Sequence, residues 1–159
     1  MSYQSTKVIE LGSCAFRQWR AASGREHAGE NSARCSKLHG YFLTAKFWFE
    51  SKLLDDRNWV VDFGGLGPLK QLLQDQFDHK LVCAANDPLL PMFKTLHESG
   101  GCDLRVMDEV GIEKTAEWCY RAANKYVNEI TNFRCWVSKT EVWEYNKNSA
   151  VYIPQSNNL

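Results

Sequence analysis

The chain has 159 residues, with 19 Lys and Arg against 19 Asp and Glu, so its formal net charge is zero. Its 44% hydrophobic and 13% aromatic content suffices for the core of one domain, expected over residues 1–159. The same figures exclude a disordered tail, a collagen-like repeat and a generally basic nucleic-acid binder, and a neutral surface does not oppose association of copies.

In chain order, Val8 to Trp19 reads as a strand, followed by a polar loop over 21–37. Tyr41 to Phe49 is aromatic-rich and reads as a second strand. A turn-like stretch, Leu53 to Asn58, leads to an expected short third strand, Trp59 to Phe63, in a hairpin with the second. Leu69, Leu72, Leu73 and Phe77 recur at helical spacing after Pro68, so Leu66 to Phe77 is an expected helix. Asp78 to Pro88 reads as irregular. Pro91 to Ser99 is an expected short helix ended by Gly100 and Gly101, and Leu104 to Met107 a short strand. Glu113 to Ile130 is the clearest helix, with Ala116, Cys119, Tyr120, Ala123, Tyr126, Val127 and Ile130 along one face. Phe133 to Trp143 and Ala150 to Ile153 are the last strands. Strands at both ends around helices predict an α+β fold with an antiparallel sheet. Trp48, Trp136 and Trp143 either fill this chain's own core or lie between subunits.

No stretch approaches the ~20 apolar residues of a membrane span, and Met1 to Gly12 carries no signal-peptide pattern. The expected location is the cytoplasm, with neither membrane nor nucleic acid as a partner. The six cysteines form no C-x-x-C pair, so most are expected to be small buried hydrophobes. Three places carry candidate chemistry. Cys35 and His39, four apart ahead of a strand, suit a thiol base and a ligand or proton donor; a structural role is the plain alternative. Asp78 beside His79 suits a carboxylate fixing an imidazole tautomer, or a helix-end cap. Glu144 closes a β-rich run, where a carboxylate accepts two hydrogen bonds from the N–H groups of a pterin or guanine ring, or is a solvated charge.

Together these segments resemble the 6-pyruvoyl-tetrahydropterin synthase and 6-carboxy-tetrahydropterin synthase family. The matching stretches are C-S-K-L-H-G-Y (35–41), N-W-V-V-D-F-G-G-L (58–66), F-D-H-K-L (77–81), K-T-A-E (114–117) and V-W-E-Y-N-K-N-S-A-V-Y (142–152). The resemblance implies the tunnelling fold: a four-stranded antiparallel sheet with helices on one face, its edges joined between subunits into a barrel. It implies homo-oligomers, trimers or hexamers, with pockets between subunits. It assigns the catalytic thiol to Cys35, the relay to Asp78 and His79, and ring recognition to Glu144 with help from Thr115. Glu117 is equally readable as a helix-terminus charge.

The same resemblance implies a zinc ion on three histidines, and here the sequence departs. The first-strand position is Trp19, followed by Arg20, and the H-G-H pair is His39 and Tyr41. Only His39 remains of the three ligands, and a catalytic zinc needs three protein ligands plus an open position. His27 is a possible substitute. No cofactor is therefore expected, and His39, Tyr41 and Trp19 are assigned to substrate binding. Three functions follow: a lyase or aldolase-like enzyme acting on a dihydropterin triphosphate or related ring in a queuosine- or folate-type pathway, with altered or lost zinc dependence; a non-catalytic pterin- or guanine-type binding protein; and a structural oligomer that keeps the fold.

Overall fold

Two long strands form the spine of the sheet. In the computed structural model, which describes residues 1–22 and 32–155, β1 (Tyr3–Phe16) and β2 (His39–Ser51) pair antiparallel from Tyr3 opposite Ser51 to Phe16 opposite His39. Along β2 the side chains alternate: Leu43, Ala45, Phe47 and Phe49 are buried, while Thr44, Lys46 and Trp48 lie on the other face. This period of two is what a sheet covered on one face requires. β5 (Cys135–Glu144) pairs antiparallel with β2, and β6 (Asn148–Tyr152) with β5. On the far side of β1, β3 (Lys80–Ala84) and then β4 (Leu104–Met107) add in parallel, giving the order β4-β3-β1-β2-β5-β6.

Three helices complete the fold: α1 (Gly67–Phe77), α2 (Leu90–Glu98) and α3 (Ile112–Ile130). α1 buries Leu69, Leu73 and Phe77 and packs on β1. α3 buries Ala116, Cys119, Ala123 and Val127 and packs on β5 and β6. Leu72 and Ile130, expected on the buried faces, are instead exposed. Among the described residues no helix is long and apolar enough to cross a membrane.

Two expectations are corrected. Trp59 to Phe63 is not a strand and makes no hairpin with β2; Val60 and Val61 are buried because they plug the core on the way to a 3-10 turn capped by the Asp62 carboxylate. Conversely, the stretch expected to be irregular contains β3. Leu81, Val82, Cys83 and Ala84 are all buried, the continuous apolar run of a parallel strand covered on both faces, too short for periodicity to identify. Trp48, Trp136 and Trp143 do not fill the core. They are half-buried outside it, and the ammoniums of Lys46 and Lys139 lie over the Trp48 ring, 4.7 and 4.4 Å from its centre.

Candidate active site

Where β1 ends and β2 begins, four rings gather. Phe16 lies 5.4 Å from His39 and 5.6 Å from Tyr41, His39 lies 5.2 Å from Tyr41, and Tyr41 lies 5.5 Å from Tyr145 in the β5–β6 turn. His39 Nδ1 is 2.6 Å from the Lys37 carbonyl. A carbonyl only accepts, so Nδ1 carries a proton and donates it there. Cys35 sits half-buried in the 3-10 turn Ser32–Ser36, its carbonyl held by the Gln18 N–H at 2.8 Å.

Glu144 ends β5 opposite Leu43 and is half-buried. Burial pushes its carboxyl above the usual range and Glu113 adds to this, while Asn148 and His39 pull it back. Burial also raises the Tyr41 phenol, with Glu144, Cys35 and Tyr145 contributing, so it stays neutral at pH 7. These mutual influences put Cys35, His39, Tyr41, Glu144 and Tyr145 in one electrostatic neighbourhood. Thr115 is buried in the first turn of α3, two residues beyond Glu113. Glu117 is half-buried, bonded to Lys114 and Arg121 at 3.0 and 2.8 Å.

The Asp78–His79 pair is built differently. Asp78 caps the C-terminus of α1 through its N–H to the Gln74 carbonyl. Its carboxylate accepts from the Ser13 N–H at 3.0 Å and lies 2.9 Å from His79 Nδ1. His79 has a left-handed backbone, φ 58°, and donates its own N–H to the Ser13 carbonyl at 2.7 Å. Asp78 is thus the C-cap of α1, with its carboxylate in contact with the His79 ring. Gly12 makes the space: at the bulge in β1 its φ is +102°, and a Cβ there would fall 2.0 Å from Asp78 Oδ1. Gly12→Ala is expected to destabilise the protein by about 2–4 kcal/mol, from a strained φ plus a displaced charged hydrogen bond. Denaturant unfolding measures the loss. A variant as stable as the parent, with an unmoved His79 ring signal by NMR, contradicts this role of Gly12.

The register separates the two groups. Lys80 lies opposite Cys14 of β1, which lies opposite Tyr41 of β2. At about 4.8 Å per strand, the β3 backbone that follows His79 is ~10 Å from that of β2 and ~14 Å from that of β5, which ends at Glu144. A cavity of about 620 Å³ spans part of this gap, lined among others by Ser13, Phe42, His79, Tyr41 and Tyr145. β1 and β2 thus lie between the strand that follows His79 and the strand that ends at Glu144, while His79, Tyr41 and Tyr145 line one cavity.

Three contributors carry no sequence signal of their own. Tyr145 needs a left-handed backbone, φ 54°, to turn its ring onto Tyr41. Gly12 is one of ten glycines. Arg17 bonds Asp87 through a fork at 2.8 and 2.6 Å, and the Ser36 carbonyl at 3.0 Å; nothing local links residues so far apart in sequence.

The 6-pyruvoyl tetrahydropterin synthase family model matches residues 14–155. The chain belongs to this family. Solved structures with the same fold include an uncharacterized protein from Wolinella succinogenes, with a TM-score of 0.77 at 21% identity, covering 98% of this chain and 99% of that one. The Caenorhabditis elegans 6-pyruvoyl tetrahydropterin synthase gives a TM-score of 0.60 at 16% identity, covering 98% and 97%. The Plasmodium vivax 6-pyruvoyl tetrahydropterin synthase gives 0.64 at 13% identity, covering 94% and 97%. No curated protein matches the chain. The fold is the family's α+β tunnelling fold, with β3 and β4 extending its four antiparallel strands in parallel.

The family resemblance places its zinc set at Trp19, His39 and Tyr41 by sequence pattern, and these residues do not fit the ion. The Trp19 indole N–H donates to Asn86 Oδ1 at 3.1 Å, and an indole offers donation only. Arg20 covers the Trp19 ring at 4.5 Å and bonds Glu109 at 2.8 Å. Tyr41 is held neutral and is a poor ligand in that form. Among the described residues no three His, Cys, Asp or Glu form a metal-holding group. His27 lies outside the described residues.

Proposed function

We propose that this pterin synthase-like protein binds a dihydropterin triphosphate, or a related purine-like ring, through Glu144, and acts on the ring's side chain as a lyase or aldolase-like enzyme without the family's zinc. The observation that carries the reading is the half-buried Glu144 carboxylate at a strand end, in one neighbourhood with the Tyr41 and Tyr145 rings and the Cys35 thiol. Its two oxygens match the paired N–H groups of a pterin edge. Thr115 assists from the first turn of α3, and His39, Tyr41 and Trp19 contribute rings rather than metal bonds. Cys35 removes a proton from the ligand side chain, and His79, oriented by Asp78, exchanges one from the other side.

We take residues 1–159 as one domain. All six cysteines are free, which suits a reducing cytoplasm. Because β1 and β2 lie between the strand that follows Asp78–His79 and the strand that ends at Glu144, the full set of groups meets between copies of the chain, in a trimer or hexamer joined through the open edges β4 and β6. Sedimentation is expected to show at least three subunits; a stable monomer at micromolar concentration contradicts this. Elemental analysis of pure protein is expected to give well under one zinc per chain; one tightly bound zinc per chain would overturn the metal-free reading.

Calorimetry with a dihydropterin tests the function directly, with saturable binding expected and subsequent turnover of the triphosphate. No binding of any pterin or guanine removes the reading. The replacement of two metal positions by Trp19 and Tyr41 favours a second one, a non-catalytic pterin- or guanine-type binding protein. It predicts the same binding with no turnover.

A further inference from the structure

The turn that carries Cys35 is pinned by two consecutive residues at the end of β1. The Gln18 N–H donates to the Cys35 carbonyl at 2.8 Å, and Arg17 Nη1 donates to the next carbonyl, Ser36, at 3.0 Å. The rest of the Arg17 guanidinium is committed to Asp87, with Nε on Oδ2 at 2.8 Å and Nη2 on Oδ1 at 2.6 Å. The Asp87 side chain is 1% exposed and that of Arg17 15%. The same carboxylate accepts from the Leu89 N–H at 2.8 Å, ahead of α2. One planar fork therefore ties three segments: the end of β1, the β3–α2 loop and the Cys35 turn. The turn also leads into His39, whose Nδ1 is fixed by the Lys37 carbonyl.

We propose that the Arg17–Asp87 ion pair is the positioning device of the Cys35 thiol, setting where it stands relative to Tyr41 and Glu144. This deepens the reading of Cys35 as the working thiol and rests on it. A bidentate guanidinium suits this role because its geometry is rigid. With two N–H groups spent on the carboxylate, a third remains aimed at the carbonyl. A lysine keeps the charge facing Asp87 but loses the fork and the bond to Ser36.

Residue-resolved alkylation by iodoacetamide tests the proposal, read as the rate at Cys35 relative to Cys102, the other half-buried cysteine. Labelling is done well below each variant's unfolding temperature. Arg17→Lys is expected to raise the Cys35-to-Cys102 ratio at least about fivefold, because a released turn samples exposed states more often. Asp87→Asn is expected to raise it further. A scaffold role alone lowers the unfolding temperature and leaves the ratio unchanged. An unchanged ratio in Arg17→Lys, or equal acceleration at both cysteines, overturns the proposal. Should Asp87→Asn fail to fold, Arg17→Lys decides alone. Pterin calorimetry on the parent protein is independent of this readout, so loss of the ligand reading and loss of the positioning role are told apart.

Discussion

Glu144→Gln is expected to weaken pterin binding on the order of 10–150-fold, since one charge-assisted hydrogen bond of about 1.5–3 kcal/mol is replaced by a donor facing a donor. The same change is expected to leave stability at neutral pH unharmed or slightly improved. Burial holds the folded Glu144 carboxyl above its ordinary value, so its protonated form is favoured by folding. That stabilisation is complete below the unfolded carboxyl value and lost as pH rises through the folded one. A glutamine avoids the penalty of the buried charge, so the advantage of the variant over the parent is expected at pH 7 and to vanish in acid. Calorimetry with a dihydropterin and thermal unfolding against pH read the two effects separately. Unchanged affinity removes Glu144 from the binding set.

Cys35→Ala is expected to lower turnover by about 10²–10⁴ while changing pterin affinity little, because the thiol moves a proton and does not hold the ring. The four buried thiols are poor substitutes. Burial pushes Cys14 up to about 12 and Cys83 and Cys135 to about 11, and raises Cys119 as well. His79→Ala is expected to lower turnover by a similar factor and to cost the fold about 1 kcal/mol, since its side chain is 84% exposed but its backbone is left-handed and its ring meets the Asp78 carboxylate. Single-turnover kinetics beside thermal unfolding checks both. Binding without turnover in the parent, with neither substitution having an effect, selects the binding-protein reading.

Elements that bury one face over many residues are visible in the chain itself. The alternation of β2 and the helical spacing of α3 are local periodicities, and both elements appear within two residues of where the pattern places them. The order of Cys35, His39, Asp78, His79, Thr115 and Glu144 is likewise readable, because each sits in a short stretch with its flanking residues. β3 is not. Its side chains are covered on both faces, which erases alternation, while Val60 and Val61 imitate a strand by being apolar for another reason.

The sequence alone determined the family resemblance, the antiparallel strands and the main helices, since these depend on residue identity and near-neighbour spacing. Tertiary structure alone decided how the site is held. The Gly12 bulge opens space for Asp78, and Asp87 meets Arg17 from 70 residues away. It also decided that β1 and β2 lie between the strand that follows Asp78–His79 and the strand that ends at Glu144. Such placements follow from strand register and chain closure, which bring together side chains whose chemical match has no imprint on the residues beside them.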